Sequence, residues 1–140
     1  MAPAFPRQSC NVFPCQPNGR KKPGADVTKS HVTVENGTLT VIAVPDRPVL
    51  SCPVTKISAL SSMITKIAKA ATFLTIDGED WGIDFQLSAT EEQPIMNDGL
   101  LTGGFVRTLK AANKRAKKTN RAFRAALESE GMRPGRTARQ

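Results

Sequence analysis

The amino-acid sequence predicts an α+β fold, a small antiparallel sheet or partial barrel packed by one long C-terminal amphipathic helix. Three observations predict it. Apolar and polar residues alternate on both sides of Asn36-Gly37. A second alternating stretch runs from Thr72 to Phe85 around Asp77-Gly78. Apolar residues then recur at steps of three and four from Leu101 to Leu127, the period of a helix with one buried face. With 140 residues, 39% of them hydrophobic, the chain has material for one modest core and not for two.

Taken in order, residues 1–30 read as a Pro-rich basic arm. Pro3, Pro6, Pro14, Pro17 and Pro23 punctuate it. Each lacks an amide donor and disfavours helix in its predecessor, so the segment is expected to be extended or disordered, or ordered on a partner through Phe5, Val12 and Phe13. The domain proper is expected over 31–131. Asn-Gly accepts the positive φ angles of a type I′ turn, which sets Val34 opposite Leu39 and Val32 opposite Val41 on one face. Residues 48–58 read as a further strand, with Pro53 at an edge or a bulge. From Ser58 to Ala71 helical and strand periods both fit, and a strand after a turn is slightly favoured.

Two registers fit Thr72 to Phe85. A two-residue turn at Asp77-Gly78 would place Glu79 opposite Ile76, on the apolar face. A four-residue loop from Asp77 to Asp80 places Trp81 there instead, with Leu74 opposite Ile83 and Thr72 opposite Phe85. The longer loop is preferred because it keeps the apolar residues together. Residues 87–98 read as a polar loop. The helix follows over 104–130, with Leu101, Phe105, Leu109, Ala112, Ala116, Phe123 and Leu127 within one arc. Gly131 is its left-handed C-cap, Pro134 prevents its continuation, and 132–140 form a short basic tail. At about 1.5 Å per residue the helix is near 40 Å long, against about 23 Å for a seven-residue strand. Its first half is expected to cover the sheet and its second half to project.

The charge is uneven. The net charge is +8, yet residues 31–106 hold four cations against nine acids, while 107–140 hold eleven cations against Glu128 and Glu130. The polar face of the helix carries Arg107, Lys110, Lys114, Lys117, Lys118, Arg121 and Arg124, with Arg115 on its flank. No Asp or Glu occurs from Arg107 to Arg124. Like charges four residues apart repel by a few tenths of a kcal/mol per pair, so a merely solvated helix would normally intersperse Glu. These eight residues are the candidate anion-binding set. Their expected partner is nucleic acid, bound through its phosphates, with anionic lipid second; the competing reading is an acidic protein surface, on this chain or a second copy. No aromatic platform accompanies them, so sequence-specific reading is not indicated.

Other chemistries find little support. No apolar run approaches the ~18 residues of a transmembrane helix, and Met1 to Arg20 has no secretory apolar stretch. Three Cys do not make a disulfide framework. Cys10, Cys15, His31 and Cys52 are nominal zinc ligands, but tetrahedral sites show tighter pairing than this C-x4-C. Asp77-Gly78-Glu79-Asp80 lacks the alternating ligands and terminal Glu of an EF-hand loop and reads as a hairpin tip. One His, no nucleophile elbow and no phosphate-cradling glycine loop leave only a His31–Cys52 dyad without an orienting third residue. No catalytic residue, metal or cofactor is therefore assigned, and an enzyme is not expected.

The stretch Leu74-Thr-Ile-Asp-Gly-x-x-Trp-x-Ile-Asp-Phe85, followed by Lys117 to Gly131 (KKTNRAFRAALESEG), resembles small pleckstrin-homology-like modules of actinobacteria and their phages. The resemblance covers about residues 31–131. It implies a curved antiparallel sheet or partial barrel closed by the C-terminal helix. It brings no catalytic residues, and because such modules differ in partner it implies no lipid-headgroup function. The expected function is a phage-encoded, non-enzymatic binding or assembly module whose basic helix contacts an anionic partner. The alternatives are a nucleic-acid-binding protein and a structural virion or assembly subunit whose arms contact neighbouring copies. Its expected place is the cytoplasm, or the host cytoplasm or virion for a phage protein.

Overall fold

A computed structural model describes residues 4–17, 20–60, 71–85 and 103–133, with residues 103–113 described by their backbone alone. Seven strands and one helix follow in chain order: β1 (Phe5–Pro14), β2 (Thr28–Glu35), β3 (Thr38–Ala43), β4 (Arg47–Pro53), β5 (Ile57–Ala59), β6 (Ala71–Ile76), β7 (Glu79–Asp84) and α1 (Gly103–Ser129). All pair antiparallel in one sheet of order β4-β3-β2-β1-β7-β6-β5. The outermost strands, β4 and β5, are consecutive in sequence and joined only by a 3-10 turn at Val54–Lys56. Three residues cannot span a flat sheet of seven strands at about 4.8 Å per step, so the sheet curls until its edges approach. The result is a half-barrel closed by α1, an α+β fold consistent with the pleckstrin-homology-like arrangement.

The first hairpin has the expected register, with Val34 opposite Leu39 and Val32 opposite Val41. Asn36 and Gly37 take φ of 53° and 72°, as a type I′ turn requires. Pro53 ends β4 at the sheet edge, where a missing amide costs no ladder bond. The stretch read as one strand over 48–58 is thereby split in two, one at each edge of the sheet.

Three expectations are corrected. The arm proposed for residues 1–30 instead supplies β1, which lies between β2 and β7 in the middle of the sheet. Its prolines spare the ladder: Pro6 falls in a bulge between Phe5 and Gln8, and Pro14 ends the strand. In the β6–β7 hairpin the turn is the two-residue one. Ile76 pairs with Glu79, Leu74 with Trp81 and Thr72 with Ile83. Asp77 and Gly78 have φ of 53° and 81°, a turn whose twist matches its strands. Glu79 stands exposed at the strand end, so its carboxylate reaches water while Ile76 stays buried. Finally, the C-terminal half of α1 covers the sheet rather than projecting. Ala116, Asn120, Phe123, Ala126 and Leu127 are buried, and the helix lies against β6, β1 and β2. Residues 61–70 and 87–98 and the tail from 134, for which a strand, a loop and a basic tail are expected, lie outside the described residues, as do the side chains of Phe105, Leu109 and Ala112.

The main core fills the inner face of the sheet. Phe5, Phe85 and Phe123 meet edge to face, with ring centroids 5.8, 5.2 and 5.2 Å apart. The helix ends as expected. Gly131 takes φ 105°, its amide donates to the Glu128 carbonyl, and Met132 N–H donates to the Leu127 carbonyl at 2.9 Å, a Schellman arrangement. Arg133 then bridges β5 through Ile57 and Ala59, covering that edge. One polar pair is buried inside. The Thr72 hydroxyl donates to Asn120 Oδ1, tying α1 to β6.

On the outer face a second cluster gathers Phe13, Cys15, Leu60, Ala71 and Phe73. Phe13 and Phe73 flank Gly82 on the two neighbouring strands, their rings edge to face at 6.5 Å. A Cβ on Gly82 would lie 2.4 Å from the Phe13 ring. Gly82→Ala is therefore expected to cost about 1–3 kcal/mol in urea unfolding through overpacking, and much less in a Phe13→Ala background. An equal cost in both backgrounds would contradict this packing. Thr72→Val orphans the buried Asn120 carbonyl and should cost about 1–3 kcal/mol, whereas Thr72→Val with Asn120→Leu should recover part of it. A single variant within about 0.5 kcal/mol of wild type would show that the pair contributes nothing.

Candidate anion-binding face

At about 100° per residue, the buried positions of α1 define one side, and the cations fall on the other. Lys114, Arg115, Lys117, Lys118, Arg121 and Arg124 are all exposed. Lys114, Lys118 and Arg121 point almost directly away from Phe123 and Leu127, while Arg115 lies on the flank next to Ala126. The structure thus brings these six cations onto the solvent side of one helix. Arg107 and Lys110 belong to the same helix, and their side chains lie outside the described residues.

The helix tolerates this crowding because its stability comes from the opposite stripe. Lys114–Lys118 and Lys117–Arg121 are like-charge pairs at i,i+4, each unfavourable by a few tenths of a kcal/mol. Burying Phe123 and Leu127 completely outweighs that, at about 1.5–3 kcal/mol for each side chain. The arrangement can hold a line of negative charges in trans over roughly 15 Å from Lys114 to Arg124.

The nominal zinc set is not assembled. Cys10 and Cys52 lie in the main core, Cys15 lies in the second cluster, and His31 is on the outer face of β2, alternating with buried Ser30 and Val32. His31 and Cys52 therefore do not form the dyad weighed from the sequence. Arg7 Nη2 instead donates to His31 Nδ1 at 3.2 Å. Nothing in the sequence marks this contact while Arg7 reads as part of a Pro-rich arm. A period-two pattern through Cys10 and Val12 inward, with Phe13 and Cys15 outward, is the signal that marks the strand. Asp77-Gly78-Glu79-Asp80 is a hairpin tip, where the Thr75 hydroxyl donates to Asp80 Oδ1 at 2.7 Å. No helix among the described residues is long and apolar enough to cross a membrane.

The thiols are poor nucleophiles and poor metal ligands at neutral pH, since both roles need a thiolate. Burial first, and then Asp84, push Cys10 up to about 12 from the ordinary 9.0. Burial and Asp80 push Cys15 up to about 11, Lys22 opposing, and burial with Asp77 raises Cys52. The native state thus keeps protons that the unfolded chain loses above about pH 9, so this stabilisation is complete below pH 9 and lost as pH rises towards 12. Unfolding midpoints should fall over that window. Cys10→Ala should flatten the fall relative to its own value at pH 7, and an unchanged slope would contradict the assignment.

Comparison with protein-family models and with curated proteins finds no match to this chain.

Proposed function

We propose that this chain is a non-enzymatic binding or assembly module whose α1 holds an anionic partner, with a nucleic-acid backbone as the partner that fits best. One observation carries the reading: Lys114, Lys117, Lys118, Arg121 and Arg124 are exposed together, without an acid among them, on a helix whose other side is locked into the core. Charge of one sign on a rigid face gains most by displacing condensed counterions from a polyanion. The absence of stacking aromatics on that face favours sequence-tolerant binding.

A structural subunit that laces neighbouring copies through its N-terminal segment is disfavoured. Phe5–Pro14 is already paired on both sides, by β2 and β7. The pleckstrin-homology-like resemblance and a phage origin accord with a scaffold that presents a variable surface.

Binding to duplex DNA or RNA should show a log–log salt slope of several units, about 0.9 for each phosphate neutralised. Replacing Lys114, Lys118 and Arg121 by Gln should weaken binding and lower that slope by up to about 3. The same variant should fold as well as wild type or slightly better, because like-charge repulsion is relieved. Absence of wild-type binding at low salt would overturn the nucleic-acid reading. A concentration-dependent mass that the triple variant abolishes would assign the face to the acidic middle of a second copy.

A further inference from the structure

The outer face of the sheet holds a cleft of about 450 Å³, none of whose lining residues belongs to α1. Its floor is a patch of two cross-strand pairs on β2 and β3, His31 opposite Ile42 and Thr33 opposite Thr40. Arg7 from β1 forms one wall, and Pro45 and Asp46 in the β3–β4 turn form another. Arg7 is aimed there by the bulge between Phe5 and Gln8, where one extra residue interrupts the ladder.

The polar groups of the cleft have a definite sense. A guanidinium has five N–H donors and no acceptor, so the Arg7–His31 contact makes Nδ1 the acceptor and places the imidazole proton on Nε2. That contact holds the guanidinium plane in place while leaving donors for a ligand. The planar fork matches a carboxylate, and the two threonine hydroxyls can complete its hydrogen bonds. Asp46 contributes a carboxylate to the same cleft without pairing to Arg7 among the described residues. With one permanent cation, one anion and an imidazole accepting at Nδ1, the lining is close to neutral. Its complement is not a dianion such as a phosphate ester but a monocarboxylate that also bears a donor group. Ile42 and Pro45 add apolar contact for a small side chain between the two.

We propose that this cleft binds the carboxylate end of a small donor-bearing ligand, of the amino-acid or peptide-C-terminus type, with Arg7 and the threonine pair on the carboxylate and Asp46 on the donor. A free amino acid and a peptide terminus share this chemistry, and the experiment separates them. His31 is the one histidine of the chain, so its ring signals report the site without ambiguity. The full-length protein is titrated with L-alanine, N-acetyl-L-alanine, acetate and inorganic phosphate while those signals are followed. Saturable shifts are expected with alanine or N-acetylalanine, and weaker binding with acetate. A preference for alanine assigns a free amino acid, and equal or better binding of N-acetylalanine assigns a peptide terminus. Arg7→Gln should weaken either carboxylate about tenfold or more, and Asp46→Asn should weaken the preferred ligand while leaving acetate unchanged. Both positions are exposed, so both variants should keep the fold. The proposal is overturned if neither carboxylate gives a saturable shift, if phosphate binds more tightly than both, or if Arg7→Gln binds as wild type does.

Discussion

Three phenylalanines from distant parts of the chain hold the architecture together. Phe5 begins β1, Phe85 follows β7, and Phe123 projects from α1, and each meets the other two edge to face. Such pairs contribute about 0.5–1.5 kcal/mol beyond the burial of their area. Their position matters more than that sum. The first strand, the segment after the last strand and the helix each bring one of these rings to the same point of the core, beside Val12, Ile83 and Leu127. A chain with six Phe, one Trp and no Tyr places half of its phenylalanines at this junction.

Curling of the sheet fixes what each surface is free to do. Because β4 passes to β5 through three residues, the sheet curls, and among the described residues its inner face is filled by side chains of the strands and α1. The outer face is divided. Around Gly82 it is packed by Phe13 and Phe73, since a glycine leaves room for one ring to lie over the strand. Over β2 and β3 it is lined by His31, Thr33, Thr40 and Ile42, where no such packing is made. Among the described residues, the outer sheet face over β2 and β3 and the cationic side of α1 are both exposed and both carried on regular secondary structure.

The features legible in the sequence are those set by local chemistry. Asn36-Gly37 dictates a turn, a turn dictates a register, and the spacing of Ala116, Phe123 and Leu127 dictates the buried side of α1 and hence the exposed side of Lys114, Lys118 and Arg121. The β6–β7 register was not legible from apolar pattern, because slipping the pairing by two residues leaves every side chain on its own face. The outcome rested instead on turn twist and on Glu79 standing at a strand end, where exposure removes the cost of facing Ile76. Proline density hid β1, since a central strand is expected to exclude proline, while a bulge and a strand end accommodate both residues. Asn120 escaped notice because a polar residue on an apolar stripe reads as a gap until its partner on another strand, Thr72, is known.

The Asn120–Thr72 pair also bears on the basic face. A helix held only by Ala116, Phe123 and Leu127 could slide along its axis or turn by small angles at little cost, because apolar contact is non-directional. A buried hydrogen bond is directional, and misplacing it leaves an unpaired polar group in the core. Rotation by one residue, about 100°, would both orphan Asn120 and carry cations from the solvent side towards the sheet. The polar pair therefore adds a directional constraint to the orientation that Phe123 and Leu127 already set, with Lys114, Lys118 and Arg121 outward. The line of positive charge is held rigid by the core beneath it, and a partner that binds it does not need to order the helix first.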